Sequence, residues 1–345
     1  MNKDNIVGID YLRVFLAVLI TILHLKPTLT FSEDCTFYIT NAITRVGVPG
    51  FFFITGFLYS IKKMDLGCRE IAVRHIKRML ILYCTWTLVC APIIIIDFIE
   101  NPKYFGMSVW FKTAIFIRRF ILIGSYTPLW FFLAGIYATG MIYVLKRFHM
   151  TKNRILIILG AFTFAGAIFN DCYTPIGALF LGSYTTLSST MEQLHLYIGT
   201  IWKEAIWGAF YMQLGYCMQN KISESEVSKR KLLALIGGVI LLLCEVGFLK
   251  YLGASEFSKM LTIAPVVILL TTIFVKYGAF WKPKKTLRKI SVLIYGFHIV
   301  TSFFLNENMF QNSIIRYGAN IGVTLLLSFI IIKVSDKIKF LKALY

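Results

Sequence analysis

Apolar runs of about 20 residues recur along the whole 345-residue chain, each long enough to cross the roughly 30 Å hydrocarbon core of a bilayer as a helix. Inside a bilayer a backbone must satisfy its own hydrogen bonds, so such a chain is committed to helices. Hydrophobic residues make up 57% of the sequence, against roughly 45–50% in soluble domains, and mean hydropathy is +0.71. Ten spans are read: about 6–25, 43–61, 79–98, 128–145, 155–170, 200–218, 232–250, 260–277, 290–306 and 314–332. The expectation is an all-α, polytopic membrane protein with one domain over residues 1–345. No internal repeat, low-complexity tract or second soluble domain interrupts it.

The net charge of +19 brings no compact basic motif of the nucleic-acid-binding kind. Its distribution follows the membrane instead. With the N-terminus inside, the segments 62–78, 146–154, 219–231 and 276–289, the tail from Lys333, and Lys3 hold twenty-five Lys and Arg. The opposite segments hold six. Positively charged loops stay on the cytoplasmic side, so both termini are expected there. The segment 99–127 contains "FKTAIFIRRFILIG", which reads as an interfacial amphipathic helix or a short re-entrant piece rather than plain loop. The first 25 residues are read as a retained helix, since Asp10 and Arg13 flank the apolar run and no small-residue cleavage site follows.

Seven cysteines form no C-x-x-C pair and no metal-ligand spacing. Cys84, Cys90, Cys217 and Cys244 read as packing residues. Cys68 falls on the cytoplasmic side. Cys35 and Cys172 share the outer side, where a disulfide is possible.

Asp10, Arg13 and His24 are out of place in a lipid-embedded helix. Arg13 and His24 are eleven positions apart, about three turns plus 20°, so they face one way roughly 16 Å apart. Asp10, three residues before Arg13, joins the same stripe. Ionisable groups at membrane depth are costly and mark protein-lined or watery interiors. Two readings stand: a functional stripe, or an interfacial Asp10–Arg13 anchor with His24 at the outer end.

Arg45 opens "RVGVPGFFFITGFL", a second span whose Gly47, Gly50 and Gly56 permit close helix approach and whose Pro49 disturbs the ladder. "RHIKRMLILY" then places Arg74, Lys77 and Arg78 on one face at the cytoplasmic mouth of the third span. They can bind a phosphorylated ligand or serve as ordinary positive-inside anchors.

Together these segments resemble the membrane acyltransferase family 3, over nearly the whole chain. The resemblance rests on Arg13 and His24 within "GIDYLRVFLAVLITILH", on "RVGVPGFFFITGFL" with Thr55 where serine is common, and on Arg78 and Tyr83 at the third helix. "LWFF" from Leu129 to Phe132 and "ISVLIYGFH" from Ile290 to His298 complete it. Thr127 and Pro128 stand where many relatives carry a histidine. The sequence is also similar to the membrane half of vancomycin-resistance serine racemases, although Lys203 to Ala205 replace an arginine-asparagine-glycine run. No racemase domain is expected after Tyr345.

The resemblance implies transfer of an acyl group, acetyl foremost, from cytoplasmic acyl-CoA to a hydroxyl of a cell-envelope carbohydrate or similar acceptor. It implies a bacterial plasma membrane, surrounding lipid, and neither metal nor nucleic acid. His24, Arg13 and Asp10 are the expected catalytic set. Arg45, Arg74, Lys77, Arg78 and Tyr83 are the expected donor-binding set. Trp130, Glu204 and His298 are expected to line the cavity. The imidazole would take the hydroxyl proton and arginine would support developing negative charge. The alternative is a transporter of a small polar solute such as L-serine, with Lys203 and Glu204 as ion-pair sites in an outer vestibule.

Of the remaining residues, His75, His149 and His195 read as loop or interface positions. Trp130 with Tyr126 fits an aromatic belt by default. Glu245 is expected to be paired or to face the cavity, and the Phe-rich runs to face lipid.

Overall fold

A computed structural model describes residues 4–181, 199, 201–224, 228–278, 281 and 286–345, and among them every regular element is helical. The helices are α1 (Asp4–Leu25), α2 (Glu33–Asn41), α3 (Gly47–Ile61), α4 (Arg69–Val89), α5 (Ala91–Glu100), α6 (Val109–Leu122) and α7 (Trp130–Arg147). They continue as α8 (Lys152–Asn170), α9 (Thr174–Leu181), α10 (Ile201–Glu224), α11 (Lys229–Tyr251), α12 (Ile263–Tyr277), α13 (Thr286–Phe304) and α14 (Ser313–Val334). Short 3₁₀ segments occupy Ile43–Val46 and Lys339–Leu344. His195 and most of the 171–199 connection lie outside the described residues.

Each of the ten expected stretches carries a helix. By length and composition, six stretches among the described residues qualify as spans: Val7–Leu25, Glu33–Ile61, Lys152–Phe169, Lys229–Tyr251, Thr286–Phe304 and Ser313–Val334. The expected continuous span 79–98 is instead broken after Val89. Pro92 begins α5, and α4 and α5 meet at 55°; counted together they make a seventh span. α12 has only 15 residues. α10 carries Lys203, Glu204, Gln213 and Gln219, but Ala205, Gly208, Ala209, Met212, Gln213 and Gly215 are buried. Its neighbours are protein rather than lipid, so it need not be apolar throughout.

α3 and α10 form the tightest contact in the bundle. A Cβ on Gly56 would lie 1.7 Å from the Met212 carbonyl oxygen, and one on Gly215 would lie 2.0 Å from the Phe53 oxygen. The two backbones approach to a distance only glycine permits. Around this pair Phe52, Phe53 and Phe57 are buried, so the expectation that the Phe-rich runs face lipid fails for α3, the second span. Side chains that do face outward include Leu233, Ile240 and Phe248 on α11 and Leu326, Phe329 and Ile330 on α14. An apolar exterior of this extent suits a hydrocarbon surround.

The segment 99–127 contains a short 3₁₀ turn at Pro102–Tyr104 and α6. Arg119 on it pairs with Asp97 at 3.5 Å and donates to the Tyr104 hydroxyl at 3.3 Å. Trp110, Phe111 and Ile117 remain exposed. Cys35 is exposed and Cys172 buried, and both thiols are free, so the disulfide considered above is not formed.

Candidate functional site

Two polar clusters sit at opposite ends of α1. The first is at its start. Asp10, 8% exposed, accepts from Arg13 Nη1 at 3.4 Å and bidentately from Arg288 on α13, with Nε to Oδ1 and Nη2 to Oδ2 both at 3.1 Å. Paired in this way, the Asp10 carboxylate orients two guanidiniums and is not a free base. Arg78 and Lys62 lie within electrostatic range of the same group. Lys62, just past α3, is held below the usual lysine range by burial and by its cationic neighbours Arg288, Arg13 and Arg78. Beside them opens a groove of about 440 Å³ lined by Arg74, Lys77, Arg78 and Ile81 of α4 and by Lys342 and Tyr345.

Tyr83, expected with the donor-binding residues, is fully buried. Its hydroxyl donates to the Phe120 carbonyl at 2.8 Å and accepts the Ser125 N–H at 2.7 Å, fixing α4 to the α6–α7 connection. It faces inward because it lies five positions beyond Arg78, on another side of the helix. His75 is likewise turned inward, with Nδ1 2.6 Å from the Tyr59 hydroxyl.

The second cluster surrounds the other end of α1. His24 keeps an exposed surface although protein surrounds it, as expected of a residue lining an open recess. Its ring stacks on that of His298 at 5.5 Å and 28°. His298 is 1% exposed, and its Nδ1 lies 3.1 Å from the Ile294 carbonyl. A carbonyl only accepts, which assigns the ring proton to Nδ1 and leaves Nε2 with a lone pair. That Nε2 has no partner among the described residues.

Arg45, expected with the donor-binding residues, lies here instead. It is within electrostatic range of His24, and Nη2 donates to Asn41 Oδ1 at 3.0 Å. The α3 chain runs opposite to α1, so the start of the second span meets the end of the first. The Arg45 Nε is buried without a partner among the described residues.

Charged loops roof this end. Asp171 Oδ1 accepts the N–H groups of Cys172, Ser258 and Lys259 at 2.8, 3.1 and 3.3 Å, while Oδ2 lies 3.2 Å from Lys259 Nζ. Lys259 also reaches Glu204 at 3.7 Å, and Lys203 reaches Glu256 at 3.9 Å. Burial alone would lower the Lys259 pKa. The Glu204 and Asp171 carboxylates outweigh it and hold that ammonium above the usual lysine range. Glu256 is pushed above the usual carboxylate range by burial, against the pull of Lys203. Glu245, whose partner sequence could not name, accepts from the Tyr173 and Thr262 hydroxyls and from the Leu261 and Thr262 N–H groups at 3.0 and 3.1 Å.

Trp130 is half-buried against the hydrophobic core. From its neighbourhood Phe131 and Phe132 pack on Tyr295, whose hydroxyl donates to the Pro128 carbonyl. Among the described residues no three His, Cys, Asp or Glu side chains form a metal-binding group.

The site therefore offers an accessible imidazole stacked on a second one, a guanidinium beside them, and a basic groove at the far end of the same helix. Arg288, Lys259 and Lys342 escaped sequence reasoning because each joins its cluster from a distant part of the chain.

The curated relatives include a serine/alanine racemase of Enterococcus gallinarum, 24% identical over 90% of this chain and 43% of that protein. An amino-acid racemase of Enterococcus faecalis is 25% identical over 67% of this chain and 30% of that protein. The chain thus spans less than half the length of these relatives. No solved structure matches it. The family model described as acyltransferase domain matches residues 6–333, nearly the whole chain, which therefore belongs to the acyltransferase 3 family.

Proposed function

We propose that the protein moves an acyl group from a coenzyme A thioester, entering at the basic groove, to a hydroxyl on an acceptor reaching His24 from the opposite side of a bilayer. In this reading the groove end is cytoplasmic and the membrane is a bacterial plasma membrane. The observation that carries it is the accessible His24 imidazole stacked on His298 beside Arg45, on the helix that also bears Arg13.

The chemistry balances without a further reactant. His24 accepts the proton of the attacking hydroxyl as its oxygen forms a bond to the thioester carbonyl carbon. The carbon–sulfur bond breaks, the ester remains on the acceptor, and the thiolate takes up the proton. Arg45, within electrostatic range of His24, would supply positive charge for the oxyanion. Acetyl is the first donor to test, and a hydroxyl of an envelope carbohydrate the first acceptor class. Replacing His24 by Ala should abolish transfer from acetyl-coenzyme A while the detergent-solubilised protein keeps its melting temperature. Unchanged transfer would end the assignment.

A second reading, passage of a small polar solute such as L-serine, draws on the charged roof of Lys203, Glu204, Glu256 and Lys259. It also draws on relatives named as amino-acid racemases. It requires serine uptake into proteoliposomes with no acyl donor present, and absence of that flux would remove it.

A further inference from the structure

After α14 the chain turns back beneath α4. The Leu344 carbonyl accepts the indole N–H of Trp86 at 3.2 Å, in a fully buried bond. Leu344 itself is 6% exposed, within the main core. The Tyr345 hydroxyl lies 2.7 Å from Ser335 Oγ, and Lys289 Nζ sits 4.7 Å from the Tyr345 ring centroid. A Cβ on Gly296 of α13 would lie 2.1 Å from the Trp86 ring, so indole, α13 and the returning strap are packed as one unit. The strap itself, residues 339–345, lies beyond the family's matched region, which stops at 333.

The docked strap builds one wall of the basic groove. Lys342 and Tyr345 face Arg74, Lys77 and Arg78 across it. All four cations are exposed, and none has a carboxylate within ion-pair distance among the described residues. Like charges gathered without acids repel one another, and a polyanion relieves that repulsion. Ile81 and Tyr345 supply apolar surface in the same groove for the rest of a ligand.

We propose that residues 339–345 are part of the donor site. Lys342 supplies a fourth phosphate-binding cation, and docking of the strap is coupled to occupation of the groove by a polyphosphorylated ligand. The inference rests on the coenzyme A reading above.

The test is equilibrium binding of labelled coenzyme A to the full chain in detergent, for wild type, Lys342→Ala and Lys342→Arg, with hydrogen exchange followed over residues 335–345. Lys342 is exposed, so its replacement leaves packing intact. The expected result is a loss of affinity on the order of tenfold in Lys342→Ala, comparable to loss of one charge-assisted contact. Lys342→Arg should restore most of it, and coenzyme A should slow exchange in the strap of the wild type. Unaltered binding in Lys342→Ala, or strap exchange indifferent to ligand, overturns the inference and leaves the donor reading standing. Failure of the wild type itself to bind coenzyme A overturns both, and is read separately from the variants.

Discussion

Arg288 grips Asp10 through two parallel hydrogen bonds of 3.1 Å, joining residues 278 positions apart. This bidentate geometry is specific to guanidinium, because a lysine ammonium presents a single point of charge. Arg288→Lys should therefore behave nearly as badly as Arg288→Ala. Both should lower the melting temperature and loosen Arg13, whose remaining partner is the same carboxylate at 3.4 Å. Asp10→Ala should be worse, because it removes the shared carboxylate from both guanidiniums; with Arg288 half exposed, the cost is about 1–3 kcal/mol. Thermal denaturation in detergent orders the three variants, and Arg288→Lys matching wild type would contradict the geometry.

His24→Ala should lower kcat about 10²–10⁴-fold if the imidazole is the general base. His298→Ala should act differently. His298 is buried against His24 and its Nε2 has no partner among the described residues, so its loss should reduce the rate and shift the pH profile of what remains. A His298→Ala enzyme with the wild-type rate and pH profile would show that the stacked ring is packing alone.

The roof makes a prediction about pH. Lys259 carries a folded pKa raised above its unfolded one by Glu204 and Asp171, despite burial. Its contribution to stability is complete below the ordinary lysine value of about 10.4 and is lost as pH rises through the higher folded value. The melting temperature of the wild type should fall along that alkaline limb, and Lys259→Met should lack the limb. Asp171→Asn, which leaves the buried ammonium facing a neutral amide, should cost about 3 kcal/mol at neutral pH. An alkaline limb preserved in Lys259→Met would refute the assignment.

Gly56→Ala places a methyl against the Met212 carbonyl, where the ideal Cβ position is 1.7 Å away. No rotamer relieves a clash with backbone, so α3 and α10 must separate. A drop in melting temperature equivalent to about 1–3 kcal/mol is expected. Gly140→Ala is the control, since nothing lies within 4 Å of its Cβ position, and it should be neutral.

What could be read from the sequence is what one helix decides by itself. Arg13 and His24 share a face because α1 is uninterrupted, and helical spacing alone predicts it. Arg45 shows the limit. Its place near the depth of His24 follows from the second span running opposite to the first, but grouping it with the donor-binding residues does not, since the basic groove is at the other end of the bundle. Tyr83 belongs to a basic helix mouth by composition, yet one hundred degrees per residue turns it into the core. Phe52 and Phe53 illustrate another blind spot, because lipid and protein interior are equally apolar and hydropathy does not separate them. The break at Cys90 is signalled only by Pro92. The partnership of Asp10 with Arg288, and of Asp171 with Lys259, has no local signature.

Trp86 also sets an order of events during synthesis. Its hydrogen-bond acceptor, Leu344, is 258 residues further along the chain. At the usual pace of translation, roughly ten seconds to a minute separates the two. Throughout that interval α4 sits in the nascent bundle with its indole N–H still seeking an acceptor, and the basic groove has one wall. The earliest helices are therefore assembled provisionally, and residues made 258 positions later are the ones that close them.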